Sequence, residues 1–523
     1  MWSKLSNNLM ENNHVKIPIE KRFFLTFIED DNNNIQKQKI IDELHKNGFY
    51  ENDPRLHKFF SNLKLLVKGS NVNYEEFKHC VENHICILKQ ILSKECIIPR
   101  FNIFCNKIKN IYDETIKHED GNNANYIPQL SRVNSDQYGI SICTIDGQRY
   151  NIGDTDKDFT VQSCCKPINY GIALEELGTE YVHKYVGREP SGQAFNELLL
   201  NKNGIPHNPL INSGAIMTTS MLFKDDDIST RFEKVIDIWK SLSGDLYKIN
   251  FNNPVYLSEK KTADRNYALA YFMNEKNENK KIGFPENTNI NETLELYFQN
   301  CSIEVNTKIL SIVASTLANG GINPFTGKQI FSSETVKNIL SVMLTCGMYD
   351  YSGEFAFNIG IPAKSGVSGS IMIVIPNVMG ICVWSPKLDS IGNSSRGIEF
   401  CKKFGEIFNF HIFDSLYDSV KYNPLKNKYK SENMYLFYEL CMSSKEGDLE
   451  HLKLLFNRNI DFNQSDYDGR TALHIAVCEK KIDIIKFLIN VAKIKKDKKD
   501  RWGNTPLDEC KNDPELINLF KKL

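Results

Sequence analysis

Gln162-Ser163-Cys164-Cys165-Lys166-Pro167 is the stretch on which the reading of this chain turns, together with Lys364-Ser365-Gly366 far downstream. At the start of a helix, a serine and a lysine three positions apart share one face of one turn, so the hydroxyl lies beside the amine. A serine hydroxyl attacks poorly at neutral pH unless an adjacent base takes its proton. A lysine serves as that base only when burial or a second cation lowers its pKa. Lys364 would supply that cation if its strand lay alongside. A helix beginning at Ser163 is expected: Pro167 falls in the first turn, where a missing N–H costs little. Ile168, Ile172 and Leu177 follow at helical spacing, and Gly178 is the stop. The hydroxyl then meets the positive end of the helix dipole, which favours a developing alkoxide.

Ser-x-x-Lys alone says little, because a surface serine beside a solvated lysine is the plain reading of an isolated match. The downstream Lys-Ser-Gly changes the balance, since Ser370-Ile371-Met372-Ile373-Val374-Ile375 follows it as a short run of strand character. Ser-x-x-Lys on a helix with Lys-[Ser/Thr]-Gly on a strand resembles the pattern of penicillin-recognising serine acyl-transferases. That pattern implies a fold and names no substrate.

Outward from these motifs, 139–144 alternates, Asp146-Gly147 reads as a two-residue turn, and 149–152 returns as a β-hairpin. A second hairpin, 371–375 and 380–384, is joined by Pro376-Asn377. Hairpin, helical block, hairpin implies an α+β fold with an antiparallel sheet flanked by helices, not repeated βαβ units. Within the block, Ile211-Asn212-Ser213-Gly214-Ala215 is small enough for close backbone approach, which suits an amide pointing into a pocket. A helix cap is the competing role for Asn212.

The chain divides into a polar leader (1–16), an N-terminal helical region (17–118), the α+β region (119–415), a linker (416–432) and a repeat region (433–523). Helices are expected over 20–28, 35–47, 55–67 and 74–92. Asp30-Asp31-Asn32-Asn33-Asn34 imitates a calcium loop, but Ile35 stands where glycine belongs and Ile41 where glutamate belongs. The region reads as EF-hand-like without calcium. At the far end, Gly469-Arg470-Thr471-Ala472-Leu473-His474-Ile475-Ala476 recurs 34 residues later as Gly503-Asn504-Thr505-Pro506-Leu507-Asp508. That period with Thr-x-Leu-His-x-Ala is the ankyrin signature, which makes His474 a structural turn residue.

With 523 residues, 41% apolar and 25% charged, the chain is an ordinary globular protein, and a net charge of −1 gives no reason to expect nucleic acid as a partner. The basic run 493–501 reads as a solvated face. No apolar stretch is long enough to span a bilayer. Fourteen scattered cysteines without Cys-x-x-Cys suggest buried thiols in a reducing compartment, and no His or Cys spacing suggests zinc. The leader makes a poor presequence, so the cytoplasm is expected, with mitochondria as the alternative.

Taken together, these stretches closely resemble the glutaminases of the animal kidney and liver type. The likeness rests on long phrases: Tyr126-Ile127-Pro128-Gln129-Leu130, Cys143-Thr144-Ile145-Asp146-Gly147-Gln148-Arg149, Cys301-Ser302-Ile303-Glu304-Val305 and Pro376-Asn377-Val378-Met379-Gly380 among them. The resemblance implies a serine β-lactamase-like catalytic domain that hydrolyses L-glutamine to L-glutamate and ammonia without metal or organic cofactor. It implies Ser163 as nucleophile, Lys166 as base and Tyr349 as proton relay to ammonia. The N–H groups of Ser163 and Val367 would form an oxyanion hole, worth about 3 kcal/mol per donor. Tyr126, Gln162, Asn212, Glu259, Asn266 and Tyr297 would hold the substrate, with Glu259 taking the α-ammonium. A homotetramer and phosphate as activator, not cofactor, are also implied. In the loop Phe195-Asn196-Glu197-Leu198-Leu199-Leu200-Asn201, leucine 199 replaces the aromatic of related animal enzymes, which puts the strength of phosphate control in question. The ankyrin repeats imply a protein partner. Three other readings compete: an inactive ankyrin scaffold, a Ser–Lys β-lactam or peptide hydrolase, and an asparaginase. The β-lactam reading leaves Glu259 and Asn212 without a role, and asparagine, one methylene shorter, would misplace its amide relative to Ser163.

Overall fold

The computed structural model describes residues 18–27, 34–66, 71–192, 197–275, 283–414, 421–425, 432–457, 461–510 and 513–522. The leader, the acidic run 30–33, loop residues Phe195 and Asn196, and most of the expected linker lie outside the described residues. The chain forms two compact units, Met1–Leu425 and Lys426–Leu523.

The first unit is built on a five-stranded antiparallel sheet in the order Arg149–Gly153, Gly139–Thr144, Met379–Trp384, Ser370–Ile375, Ala363–Gly366. The two expected hairpins are its first and third pairs, they join through Gly139–Thr144 against Met379–Trp384, with Ile142 opposite Ile381, and Ala363–Gly366 adds to the outer edge of the second. The first turn is one residue longer than expected. Cys143 faces Arg149 and the Thr144 N–H bonds the Gln148 carbonyl, so Ile145, Asp146 and Gly147 form the loop. Gly147 closes it at φ 90°, a conformation costly for any residue with a Cβ.

Both faces of the central strands are buried, which explains their near-continuous apolar sequence. One face meets the helical block and Thr307–Ala318, a buried helix whose small side chains let it lie close on the strands, with Ser315 Oγ donating to the Thr144 carbonyl at 3.0 Å. The other meets Ser395–Ile407 and Phe101–Thr115, whose Phe101, Phe104, Ile108 and Ile111 share a core with Ile371, Ile373 and Ile381. Helix Phe101–Thr115, on the N-terminal side of 118, thus buries its apolar stripe in the sheet's core.

The remaining N-terminal residues form two helix–loop–helix units, Ile19–Phe27 with Lys37–Lys46 and His57–Leu65 with Tyr74–Val81. Their loops pair through Ile35 and Val72, so the helix expected from 35 starts two residues late. The helix expected over 74–92 is two, Tyr74–Val81 and Ile85–Leu92. His84, at the break, turns its Nδ1 to the Arg55 carbonyl at 3.0 Å.

The second unit stacks helices Glu432–Glu446, Leu449–Asn457, Ala472–Cys478, Ile482–Asn490 and Pro514–Lys522. His474 is buried. Its Nδ1 closes a capping box with Thr471, and its Nε2 reaches the Asn504 carbonyl at 3.2 Å, tying one repeat to the next. Among the described residues no helix is long and apolar enough to cross a membrane.

Candidate active site

Ser163 does not open the α-helix. It sits in a 3-10 turn, Gln162–Cys165, and the α-helix Lys166–Leu177 follows, stopped by Gly178 at φ 78°. The correction has a physical cause. Gln162 lies at φ 47°, in the left-handed region, and the chain must leave that conformation before regular α-helical bonding starts. Such a residue costs about 1–3 kcal/mol and persists only where its surroundings fix it.

Lys166 is fully buried, and its Nζ donates to the Leu210 carbonyl (3.3 Å) and to Asn212 Oδ1 (2.7 Å). A neutral amine has two N–H donors and one lone pair. Both donors are used, so the lone pair is the remaining function of this nitrogen. Burial lowers the Lys166 pKa to about 8. Lys364, on strand Ala363–Gly366, is equally buried and donates to the carbonyls of Gly347 (3.1 Å) and Ser365 (2.7 Å). Burial first, and Lys166 second, lower it to about 7. The sequence reading had Lys364 depressing Lys166. Burial is the larger cause for both amines, and the repulsion between them adds to it.

Asn212 is the first residue of helix Asn212–Met221, yet its side chain makes no cap. It spans instead from Lys166 to Asn266, with Nδ2 donating to Asn266 Oδ1 at 3.1 Å. The pocket role prevails over the cap. Asn208, absent from the expected site, sets the Leu210 carbonyl in place by accepting the N–H groups of Leu210 and Ile211.

Glu259 accepts from the Tyr126 hydroxyl (2.6 Å) and from Gln162 Nε2 (3.0 Å). Burial raises its pKa, and those two bonds oppose the rise. Among the described residues no cation pairs with it. Tyr126 is 44% exposed, but its hydroxyl end is buried on Glu259, which lifts the phenol far above its usual range. Tyr297, on helix Ile290–Cys301, is buried and likewise held protonated, by burial first and by the neighbouring Cys301 and Cys165 thiols.

Tyr349 opens a second 3-10 turn, Tyr349–Tyr351, at φ 53°. Burial raises its phenol, and the neighbouring Ser163 hydroxyl pulls the other way. Its ring lies 4.5 Å from Lys364 Nζ. Ser352 was missed by the sequence reading. Its Oγ accepts the Met348 N–H (2.9 Å) and donates to the Tyr349 carbonyl (2.6 Å), clasping the turn. The signal for it was a serine at the end of a short polar turn, a common local side-chain-to-backbone motif. Val367 follows Ala363–Gly366 and packs against Ile127, Leu130 and Val255.

The hydrogen bonds thus link Lys166–Asn212–Asn266 into one set and Gln162, Glu259 and Tyr126 into another, with the Ser163 hydroxyl and the Tyr349 phenol neighbouring one another. No group of three or more His, Cys, Asp or Glu is placed to hold a metal among the described residues.

Comparison with known proteins points the same way. Residues 121–413 match the glutaminase family, 19–99 an EF-hand domain and 440–521 ankyrin repeats in three copies. The rat protein named "Glutaminase liver isoform, mitochondrial" is 42% identical over 490 residues, covering 92% of this chain and 80% of its own. "Putative glutaminase 2" of Caenorhabditis elegans is 41% identical over 508 residues, 94% of this chain and 83% of its own. Among solved structures, Mglu in its tris and glutamate form superposes with TM-score 0.55 at 34% identity, covering 60% of this chain and 68% of that one. The probable glutaminase ybaS gives 0.54 at 33%, covering 58% and 95%.

Proposed function

The chain belongs to the glutaminase family, and on that premise we propose that it opens L-glutamine at Ser163 through a γ-glutamyl ester. Hydrolysis of glutamine to glutamate and ammonia is the family's reaction; the assignment of each step to a residue is our reading. One observation carries it: a buried amine, one turn from the serine, whose donors are both used and whose pKa is about 8. As Ser163 Oγ attacks the side-chain amide carbon, its proton passes to the Lys166 lone pair. The oxyanion forms against the N–H groups of Ser163 and Val367. The C–N bond then breaks as the departing nitrogen receives a proton, relayed by the Tyr349 phenol from Lys166. Water attacks the ester by the reverse route and releases glutamate and Ser163.

Glu259 has the place of a counter-ion without its ion, and the glutamine α-ammonium would fill it. The amides of Asn212, Asn266 and Gln162 and the phenol of Tyr297 are neutral donors of the kind an α-carboxylate needs, while Tyr126 gives its hydroxyl to Glu259 and holds that carboxylate for the substrate. An ammonia-release assay tests the reading. Ser163→Ala and Lys166→Ala should each abolish turnover of glutamine while the protein stays folded, and Glu259→Gln should chiefly raise KM. Near-full activity in either of the first two would remove the mechanism.

The reading needs no metal or organic cofactor, and it takes phosphate as an activator of a homotetramer. Leu199, 39% exposed, stands in the loop tied to that control. Sedimentation and assay with and without phosphate check both. For the compartment we favour the cytoplasm. Mitochondria are the alternative, since the names of the rat and mouse relatives carry that word, and fractionation decides.

A further inference from the structure

We propose that the two hairpin tips of the ankyrin unit, at Tyr467 and at Arg501 with Trp502, form a docking surface for an acidic protein segment bearing an aromatic or leucine anchor. The tips are built alike. Asp466 Oδ1 accepts the N–H groups of Asp468 (2.9 Å) and Arg470 (2.8 Å), and Asp500 Oδ1 accepts those of Trp502 (2.9 Å) and Asn504 (2.9 Å). They are also locked together. The Arg501 N–H bonds the Asp468 carbonyl at 2.7 Å, and a Cβ on Gly469 would stand 3.3 Å from the Asp500 Cα. A surface held this way loses little freedom on binding.

The side chains it presents have no role in the unit's own core. Tyr467 is 94% exposed and Trp502 57%. Arg501 lies 4.3 Å over the Trp502 ring and pairs with Asp468 at 2.8 Å, which holds the guanidinium against the indole. Tyrosine, tryptophan and arginine are the residues that carry most interface energy.

Charge names the partner. Between 493 and 501 stand six basic residues and two aspartates. Asp500 is spent inside its own turn, so Asp497 is the exposed carboxylate among Lys493, Lys495, Lys496 and Lys499. A solvated face explains those lysines but not the aromatic pair at their end. An acidic segment would be drawn by the lysines and seated on the rings.

The test uses the full chain. Phage-displayed random peptides of about 12 residues, long enough for one anchored segment, are panned against it, and the enriched peptides are synthesised and titrated calorimetrically. The expected peptides are net acidic with an aromatic or leucine anchor, and their affinity falls with added salt. Tyr467→Ala with Trp502→Ala, and separately Lys495→Glu with Lys496→Glu and Lys499→Glu, should each weaken binding about tenfold or more. Glutamine hydrolysis and helical content should not change in either. Absence of enrichment, enrichment of basic or neutral peptides, or affinity indifferent to both variants would overturn the proposal. So would tighter binding of a single-stranded oligonucleotide or of phosphatidylserine vesicles than of any peptide.

Discussion

Two short 3-10 turns carry the reacting groups, and they are held in opposite ways. Gln162–Cys165 presents Ser163, Tyr349–Tyr351 presents the phenol, and each contains a non-glycine residue in left-handed conformation. The first is braced by the fold. The Val161 N–H bonds the Ile303 carbonyl at 2.8 Å, and Cys164 Sγ donates to the Lys364 carbonyl at 3.3 Å. Strand Ala363–Gly366 also comes so close that a Cβ on Gly366 would stand 3.0 Å from the Val161 carbonyl. The second turn relies on side chains: the Ser352 clasp, and Asn393 Nδ2 donating to the Met348 carbonyl at 3.4 Å. The nucleophile is placed largely by backbone contacts, with the Cys164 thiol as a side-chain brace. The phenol is placed by groups that one substitution can delete.

The largest effect that separates the two turns should come from Tyr349→Phe. The ring would stay under Lys364 and the turn would keep its clasp, so only the hydroxyl leaves. The expected loss in kcat is about 10²–10⁴-fold, the usual contribution of a positioned acid–base group. A variant within threefold of the parent would take Tyr349 out of proton transfer and leave Lys166 to act alone.

Next comes pH. Lys166 acts as a base only when neutral, so kcat/KM should fall roughly tenfold per unit as pH drops below about 8. Stability should move the same way. Both lysines have pKa values lowered on folding, to about 8 and about 7, from 10.5. Between these and the ordinary lysine value the unfolded chain binds more protons, so stability rises with pH through that window. Urea unfolding at pH 7 and pH 9 reads the slope, and Lys166→Met should flatten it. A profile whose acid limb lies near pH 6, or a slope unaltered in the variant, would separate the chemistry from this amine.

How much of this was legible follows from how local each feature is. Ser163 and Lys166 come from one turn, so spacing alone could pair them, and a hairpin is equally a matter of neighbours. Glu259, Asn212, Asn266 and Tyr349 arrive from separate elements, and no periodicity places them; all but Asn212, which its small neighbours singled out, were named only through family resemblance. Asn212 shows the limit well. Its position suited a cap as well as a pocket, and only the tertiary approach of Lys166 decided. The break at 82–84 and the place of Phe101–Thr115 in the sheet's core have the same origin. Both depend on surfaces far away in sequence, the Arg55 carbonyl and the isoleucines of the sheet.

The smallest effect is the most discriminating. Ser352→Ala removes the clasp and leaves the Met348 N–H and Tyr349 carbonyl to find other partners, a loss of about 1 kcal/mol per bond. The left-handed Tyr349 then has less to hold it, and displacement of the phenol should lower kcat about tenfold with KM little changed. A merely structural serine could lower activity too, through a smaller folded fraction, so the single variant is not enough. The same substitution made in Tyr349→Phe supplies the control. If Ser352 acts through the phenol, it should cost almost nothing there, because the group it positions is already gone. Equal losses in both backgrounds would make Ser352 a packing residue, and the second turn would then be braced by the fold as firmly as the first.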